Sequence, residues 1–210
     1  MQQRIGKKEQ RIKRHFKTAD PILFSVLSEM ELEVLQQEQN AAGYFSKLCR
    51  EIISQQLGSK AAHAIHQRFL KLFPRQNPTV RRVLEYSEKE FRATGMSWAK
   101  ARYLRDLAQK ISDGDVRLSK LSILDDETVI SELKKVKGIG RWTAEMFLIF
   151  TLGREDVFSF GDLGLRKGFE RLYGKQRART QKSIERIVRH WSPYRSYGSL
   201  ALWHVLDGKK

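Results

Sequence analysis

Apolar residues recur along most of the chain at helical spacing. Phe45, Leu48, Cys49, Ile52, Ile53, Gln56 and Leu57 follow steps of three and one, which lines the apolar members up on one helix face. Ala61, Ala64, Ile65, Phe69 and Leu72 repeat the pattern after Gly58-Ser59, a stop followed by an N-cap. Pro74 and Pro78 bracket a loop. Further helices are predicted near 79–93, 98–112, 127–136, 141–152, 163–173, 180–191 and 196–206. Gly95, Gly114, Gly153 and Gly174 fall between them as C-terminal breakers. No segment sustains the alternation of a half-buried strand, so the predicted class is all-α, with about ten short helices.

Charge changes the picture more than composition does. The 210 residues carry 40 Lys and Arg against 24 Asp and Glu, a net +16, while 40% of positions are apolar. Such an excess points to a polyanion, most often nucleic acid, and charge alone does not exclude ribosome-like or generic RNA binding. It is also uneven. Residues 1–17 hold seven basic side chains and one acid, and residues 166–195 hold ten and two. Asp20 to Ser46 holds five acids and no Lys or Arg. Residues 1–18 are therefore expected to form a flexible basic arm, and 19–210 one domain or two lobes on one chain.

The single cysteine, Cys49, excludes an internal disulfide framework and a four-cysteine zinc or iron–sulfur site. The longest apolar run, Met146 to Leu152, is too short to cross a bilayer, and no apolar stretch follows the basic N-terminus. No membrane partner is expected. The expected compartment is cytoplasm or nucleoid, or the nucleus in a eukaryote. His63/His66 and His190/His204 invite a metal reading, but no neighbouring Cys or carboxylate completes a set.

The most informative string is Val136-Lys-Gly-Ile-Gly-Arg-Trp-Thr-Ala144, within a hairpin motif at about 127–152. One helix ends, two glycines turn the chain, and a second helix begins. Gly138 and Gly140 allow positive φ and close backbone approach. The N–H groups opening the second helix form a phosphate site, to which Lys137 and Arg141 add positive charge, with Thr143 in the first turn. Ile139 is expected to pack back between the helices. This pattern grips phosphates and leaves bases unread, although an ordinary turn between helices would look the same.

A second candidate follows in Asp156-Val-Phe-Ser-Phe-Gly-Asp162. Asp162 stands where a helix starts, and Asp at that point is most often a plain N-cap. A carboxylate near a phosphate-gripping hairpin repels its ligand, and that cost suggests a chemical role.

These two strings together resemble the helix-hairpin-helix–Gly/Pro-rich–Asp superfamily of DNA glycosylases, in particular the alkylpurine branch of 3-methyladenine DNA glycosylase II. Glu51-Ile-Ile-Ser-Gln-Gln-Leu-Gly-Ser-Lys-Ala-Ala62, Trp191-Ser-Pro-Tyr-Arg-Ser-Tyr-Gly-Ser-Leu-Ala-Leu-Trp203 and, more weakly, Gly95 to Leu104 also resemble that branch. The similarity runs from about 45 to 205. It departs at Lys137, where proline is common, and at Phe160-Gly161. The length matches a compact form without the N-terminal α/β domain of some members.

The resemblance implies two helical lobes with an active cleft between them, acting as a monomer on double-stranded DNA. It implies hydrolysis of the N-glycosidic bond of a flipped alkylated purine, such as 3-methyladenine or 7-methylguanine. Asp162 is the implied catalytic carboxylate. Trp142 and Trp203 are the implied aromatics of the base pocket, with Phe45 and Met146, and less so Tyr194 and Trp98, as further lining or plain core. Gln56 or Leu57 is the implied plug for the vacated stack. Trp142 occupies the position of the lysine of strand-nicking members, so no lyase step is expected. No cofactor is implied, except a monovalent cation such as Na+ or K+ on the carbonyls of Lys134, Val136 and Ile139. The alternatives are a glycosylase for uracil, an oxidised or a mispaired base, and a non-catalytic helix-hairpin-helix DNA binder.

Overall fold

The computed structural model describes residues 2–32, 34–38 and 40–208. Met1 of the expected arm, Glu33 of the acidic stretch and the last two residues of the expected domain lie outside the described residues. The helices are α1 (Gln2–Ala19), α2 (Pro21–Glu29), α3 (Ala41–Ser54), α4 (Ser59–Leu70), α5 (Val80–Glu85), α6 (Glu88–Ala93) and α7 (Trp98–Ser112). They continue as α8 (Asp126–Lys134), α9 (Arg141–Phe150), α10 (Leu163–Tyr173), α11 (Lys175–Ala178), α12 (Gln181–Val188) and α13 (Arg195–Asp207). Among the described residues there is no strand, so the all-α expectation holds.

Side-chain caps explain most of the helix starts. Asn40, Thr79, Ser97, Asp125, Asp162 and Thr180 each accept a first-turn N–H. The helix predicted over 79–93 is two helices, because Ser87 and Glu90 form a reciprocal capping box that restarts the chain at Glu88.

The chain divides into two units, Met1–Gln37 with Gly153–Lys210, and Glu38–Leu152. The boundary expected at residue 18 matches neither junction. The flexible-arm expectation is likewise corrected. Ile12 and Phe16, one turn apart on α1, are completely buried in one core with Leu23, Phe169, Trp191 and Leu202. Two buried side chains in an otherwise polar helix are too few to register as sustained apolar spacing.

This first unit is organised by a buried acid. Asp20 caps α2 through Leu23 N–H at 3.1 Å, and its other oxygen accepts from Tyr173 Oη at 2.6 Å and Trp191 Nε1 at 2.8 Å. Burial, and the Asp20 carboxylate beside it, push the Tyr173 hydroxyl up, so that it stays a donor. Helices α10 and α13 then pack closely, because a Cβ at Gly168 would collide with the Leu202 carbonyl. The second unit, α3 to α9, buries Phe45, Leu48, Cys49, Ile52, Phe69, Leu104 and Phe147. Burial pushes the Cys49 thiol up, which removes it as a nucleophile.

Replacing Asp20 by Ala strands three buried donors, Leu23 N–H, Tyr173 Oη and Trp191 Nε1. The expected loss of stability is about 3 kcal/mol, measured by urea unfolding.

Candidate active site

The hairpin has the two-helix form the sequence implied and departs from the expectation at Gly140, Arg141 and Thr143. Val136 and Ile139 are buried beneath the turn, and Ile139 N–H donates to the Val136 carbonyl at 3.1 Å. Gly138 takes φ +84, and a Cβ there would run into the Tyr103 ring of α7. Gly140 does not need positive φ: it sits at φ −92 as the N-cap of α9 and supplies no side-chain cap. A Cβ at Gly140 would meet nothing within 4 Å. The opening amides of α9 thus lack a side-chain cap from Gly140, the arrangement that receives an anion. Lys137 is exposed, and its backbone N–H is held by Asp106 at 2.8 Å.

Two expected phosphate ligands are placed differently. Thr143 is only 4% exposed, and its hydroxyl accepts from Gln55 Nε2 at 3.2 Å. The Arg141 guanidinium pairs with Glu127 and, at 2.9 Å, with Glu145, so two carboxylates balance its charge. It braces α8 against α9 rather than offering an unpaired cation.

The turn after α3 is tied to this hairpin. Gln55 Nε2 also donates to the Gly138 carbonyl at 2.8 Å. Lys100 Nζ donates to the carbonyls of Ile53 at 2.8 Å and Gln55 at 2.6 Å, neutralising the end of α3. The next residue, Gln56, adopts φ +56, a costly conformation outside glycine, and Leu57 is 37% exposed. Both plug candidates therefore stand outward on a braced turn. Neither Gln55 nor Lys100 was singled out by the sequence, since each lies in a family string without any sign that they meet.

Trp142, 42% exposed, and Met146 line a cavity of about 640 Å³ together with Glu51, Leu57 and His66. Phe45 does not join them. It is 2% exposed and borders a different cavity, beside Ala41, Val80 and Leu118. Trp98 is exposed at the start of α7, and Tyr194 is buried against His15 and Tyr197. His63 and His66 line the Trp142 cavity, but among the described residues no group of three His, Cys, Asp or Glu is arranged to hold a metal.

Asp162 lies in the first unit, 7% exposed, at the start of α10. Its Oδ1 accepts from Leu165 N–H at 2.7 Å and from Trp203 Nε1 at 3.3 Å. Trp203 is thus placed on the carboxylate itself. The other acid of the same string, Asp156, is engaged in structure. It accepts from Arg195 Nε at 2.7 Å, Arg195 Nη2 at 3.0 Å and Ser192 Oγ at 2.8 Å. Burial works to raise Asp156, and these hydrogen bonds outweigh it and hold the carboxyl below its ordinary range.

A two-helix hairpin whose second helix starts without a side-chain cap, followed by a buried acid at a helix start, defines the architecture of a DNA-repair glycosylase. The family model described as HhH-GPD superfamily base excision DNA repair protein matches residues 49–193, and the chain belongs to that family. DNA-3-methyladenine glycosylase 1 of Schizosaccharomyces pombe is 34% identical over 76% of this chain and 71% of its own length. The Bacillus subtilis protein YfjP is 32% identical over 74% of this chain, which spans only 56% of that relative. The crystal structure of a Bacillus halodurans DNA-3-methyladenine glycosidase superposes with a TM-score of 0.78 at 33% identity, covering 91% of this chain and 88% of that one. The S. pombe enzyme Mag1, in complex with abasic DNA, gives 0.77 at 28% identity, covering 92% and 95%.

The two hairpin glycines are expected to separate under substitution. Gly138→Ala combines a strained φ with a ring collision and should cost about 1–3 kcal/mol in urea unfolding. Gly140→Ala should change stability by less than about 0.5 kcal/mol.

Proposed function

We propose that this chain excises alkylated purines from double-stranded DNA by hydrolysing the N-glycosidic bond, and leaves the abasic strand intact. The observation that carries this reading is Asp162, a carboxylate held at the start of α10 by Leu165 N–H and Trp203 Nε1. As the base departs, positive charge builds on the sugar. A fixed carboxylate stabilises that charge or takes a proton from the attacking water. Trp142 is exposed enough to stack on a flipped base, and an electron-rich indole attracts a cationic alkylpurine by about 0.5–2 kcal/mol. An indole at that position supplies no amine for a Schiff base, so no strand-nicking step follows.

The opening amides of α9, with Lys137, would hold a backbone phosphate. Gln56 or Leu57 would fill the gap left by the extruded base. A monovalent cation would sit on the carbonyls of Lys134, Val136 and Ile139. Val136 already accepts Ile139 N–H, and a carbonyl oxygen has a second lone pair for such an ion. The protein would act as a monomer wherever the genome lies.

The test is release of bases from methylated duplex DNA, followed by chromatography. Wild type should free 3-methyladenine or 7-methylguanine, and Asp162→Asn should lose about 10²–10⁴-fold in rate. Strand breaks should arise only after heat or alkali. No release by wild type overturns the reading.

A further inference from the structure

Three arginines of the first unit stand over one cavity without a carboxylate partner. Arg177, Arg186 and Arg189 line an opening of about 430 Å³, with His190 beside them, and all four side chains are exposed. Elsewhere in the chain an arginine near an acid pairs with it, as Arg81 does with Glu85, Arg141 with Glu127 and Arg195 with Asp156. Among the described residues none of these three forms an ion pair. The acids at hand are already engaged. Asp20, the acid of this wall, is buried, with its oxygens on Leu23 N–H, Tyr173 Oη and Trp191 Nε1. Glu185, one turn before Arg189, accepts from Gln181 Nε2 at 2.7 Å. Arg189 Nε donates to His190 Nε2 at 3.3 Å, which uses one of the five N–H groups of its fork. Positive charge is therefore concentrated in a concavity and left uncompensated by the chain.

The apolar part of the wall is aliphatic. It comes from Pro21, Ile22 and Ile187, and Ile22 is 41% exposed. This division selects among anions. A duplex backbone would use the guanidinium groups and leave the aliphatic side wet. Unstacked bases settle on exposed aromatic faces, whereas the Tyr173 ring is buried and its hydroxyl is spent on Asp20. An acidic peptide with one aliphatic side chain uses both halves. Its carboxylates match the arginine forks, and its aliphatic chain covers the exposed isoleucine.

We propose that this cavity is a docking site for an acidic segment of a partner protein, with carboxylates on Arg177, Arg186 and Arg189 and one leucine-like side chain against Ile22 and Ile187. Tyr173 is the last residue of α10 and Asp162 caps its start, so the site lies about 16 Å along the helix axis from that carboxylate. Binding there does not depend on the chemistry at Asp162.

The test is fluorescence anisotropy with the full chain and a labelled peptide of about twelve residues, a central Leu flanked on both sides by Asp and Glu, at about 0.15 M salt. Wild type should bind it saturably in the micromolar range. Ile22→Ser, the double variant Arg186→Ala/Arg189→Ala, and a peptide with Ser in place of its Leu should each weaken binding about tenfold or more. Thermal unfolding checks that both variants, which alter exposed side chains, remain folded. Binding of an undamaged duplex by the double variant should change by less than about threefold, since these arginines are assigned no phosphate. Absence of saturable binding, a Ser peptide that binds as well as the Leu peptide, full affinity in either variant, or duplex binding weakened as much as peptide binding each overturns the proposal.

Discussion

The first unit depends on one buried carboxylate. Asp20 joins segments far apart in sequence, because Tyr173 and Trp191 both donate to one of its oxygens while the other caps α2. Such an acid costs several kcal/mol to bury and is retained only when its lone pairs are filled. Here three donors fill them. Tyr173 is the last residue of α10, and Asp162 is the N-cap of the same helix. The polar contact that secures one end of α10 therefore helps fix the acid at the other. Close approach of α13 at Gly168 brings the helix that carries Trp203 alongside.

The second unit solves a comparable problem with neutral and cationic donors. A turn that carries exposed Gln56 and Leu57 has little packing of its own. Its rigidity comes from Lys100, which caps two carbonyls at the end of α3, and from Gln55, which bridges to Gly138 and Thr143. These bonds offset the left-handed conformation of Gln56, worth about 1–3 kcal/mol. The strain thus lies at an exposed turn, with its supports on α7 and the hairpin.

Much of this was legible in the sequence, and the reasons it was or was not are local. Helices with long apolar faces or clear caps, such as α3, α7 and α10, stood out because periodicity and capping agree. The hairpin was legible because glycines at fixed spacing constrain the backbone directly. Helix α1 was not, because among its described side chains the apolar ones on the buried face are Ile12 and Phe16, amid basic residues, and composition outweighed them. Arg141 and Thr143 were assigned outward roles from residue type alone, whereas partners distant in sequence, Glu127 and Gln55, decided where their polar groups went. Phe45 was read as pocket or core, and its burial beside a different cavity depends on a helix register that no short string contains.

Two acids from one family-like string show why side-chain identity alone could not assign chemistry. Asp156 has its oxygens taken by Arg195 and Ser192, so it is locked as an anion and holds the start of α13. Asp162 accepts from one amide and one indole, which orients the carboxylate and suits it to face growing positive charge. A carboxylate paired with a guanidinium and one oriented by an amide and an indole are two settings of one functional group, and the surrounding donors select between them. A net +16 favours the phosphate backbone of DNA through electrostatics that do not depend on base identity.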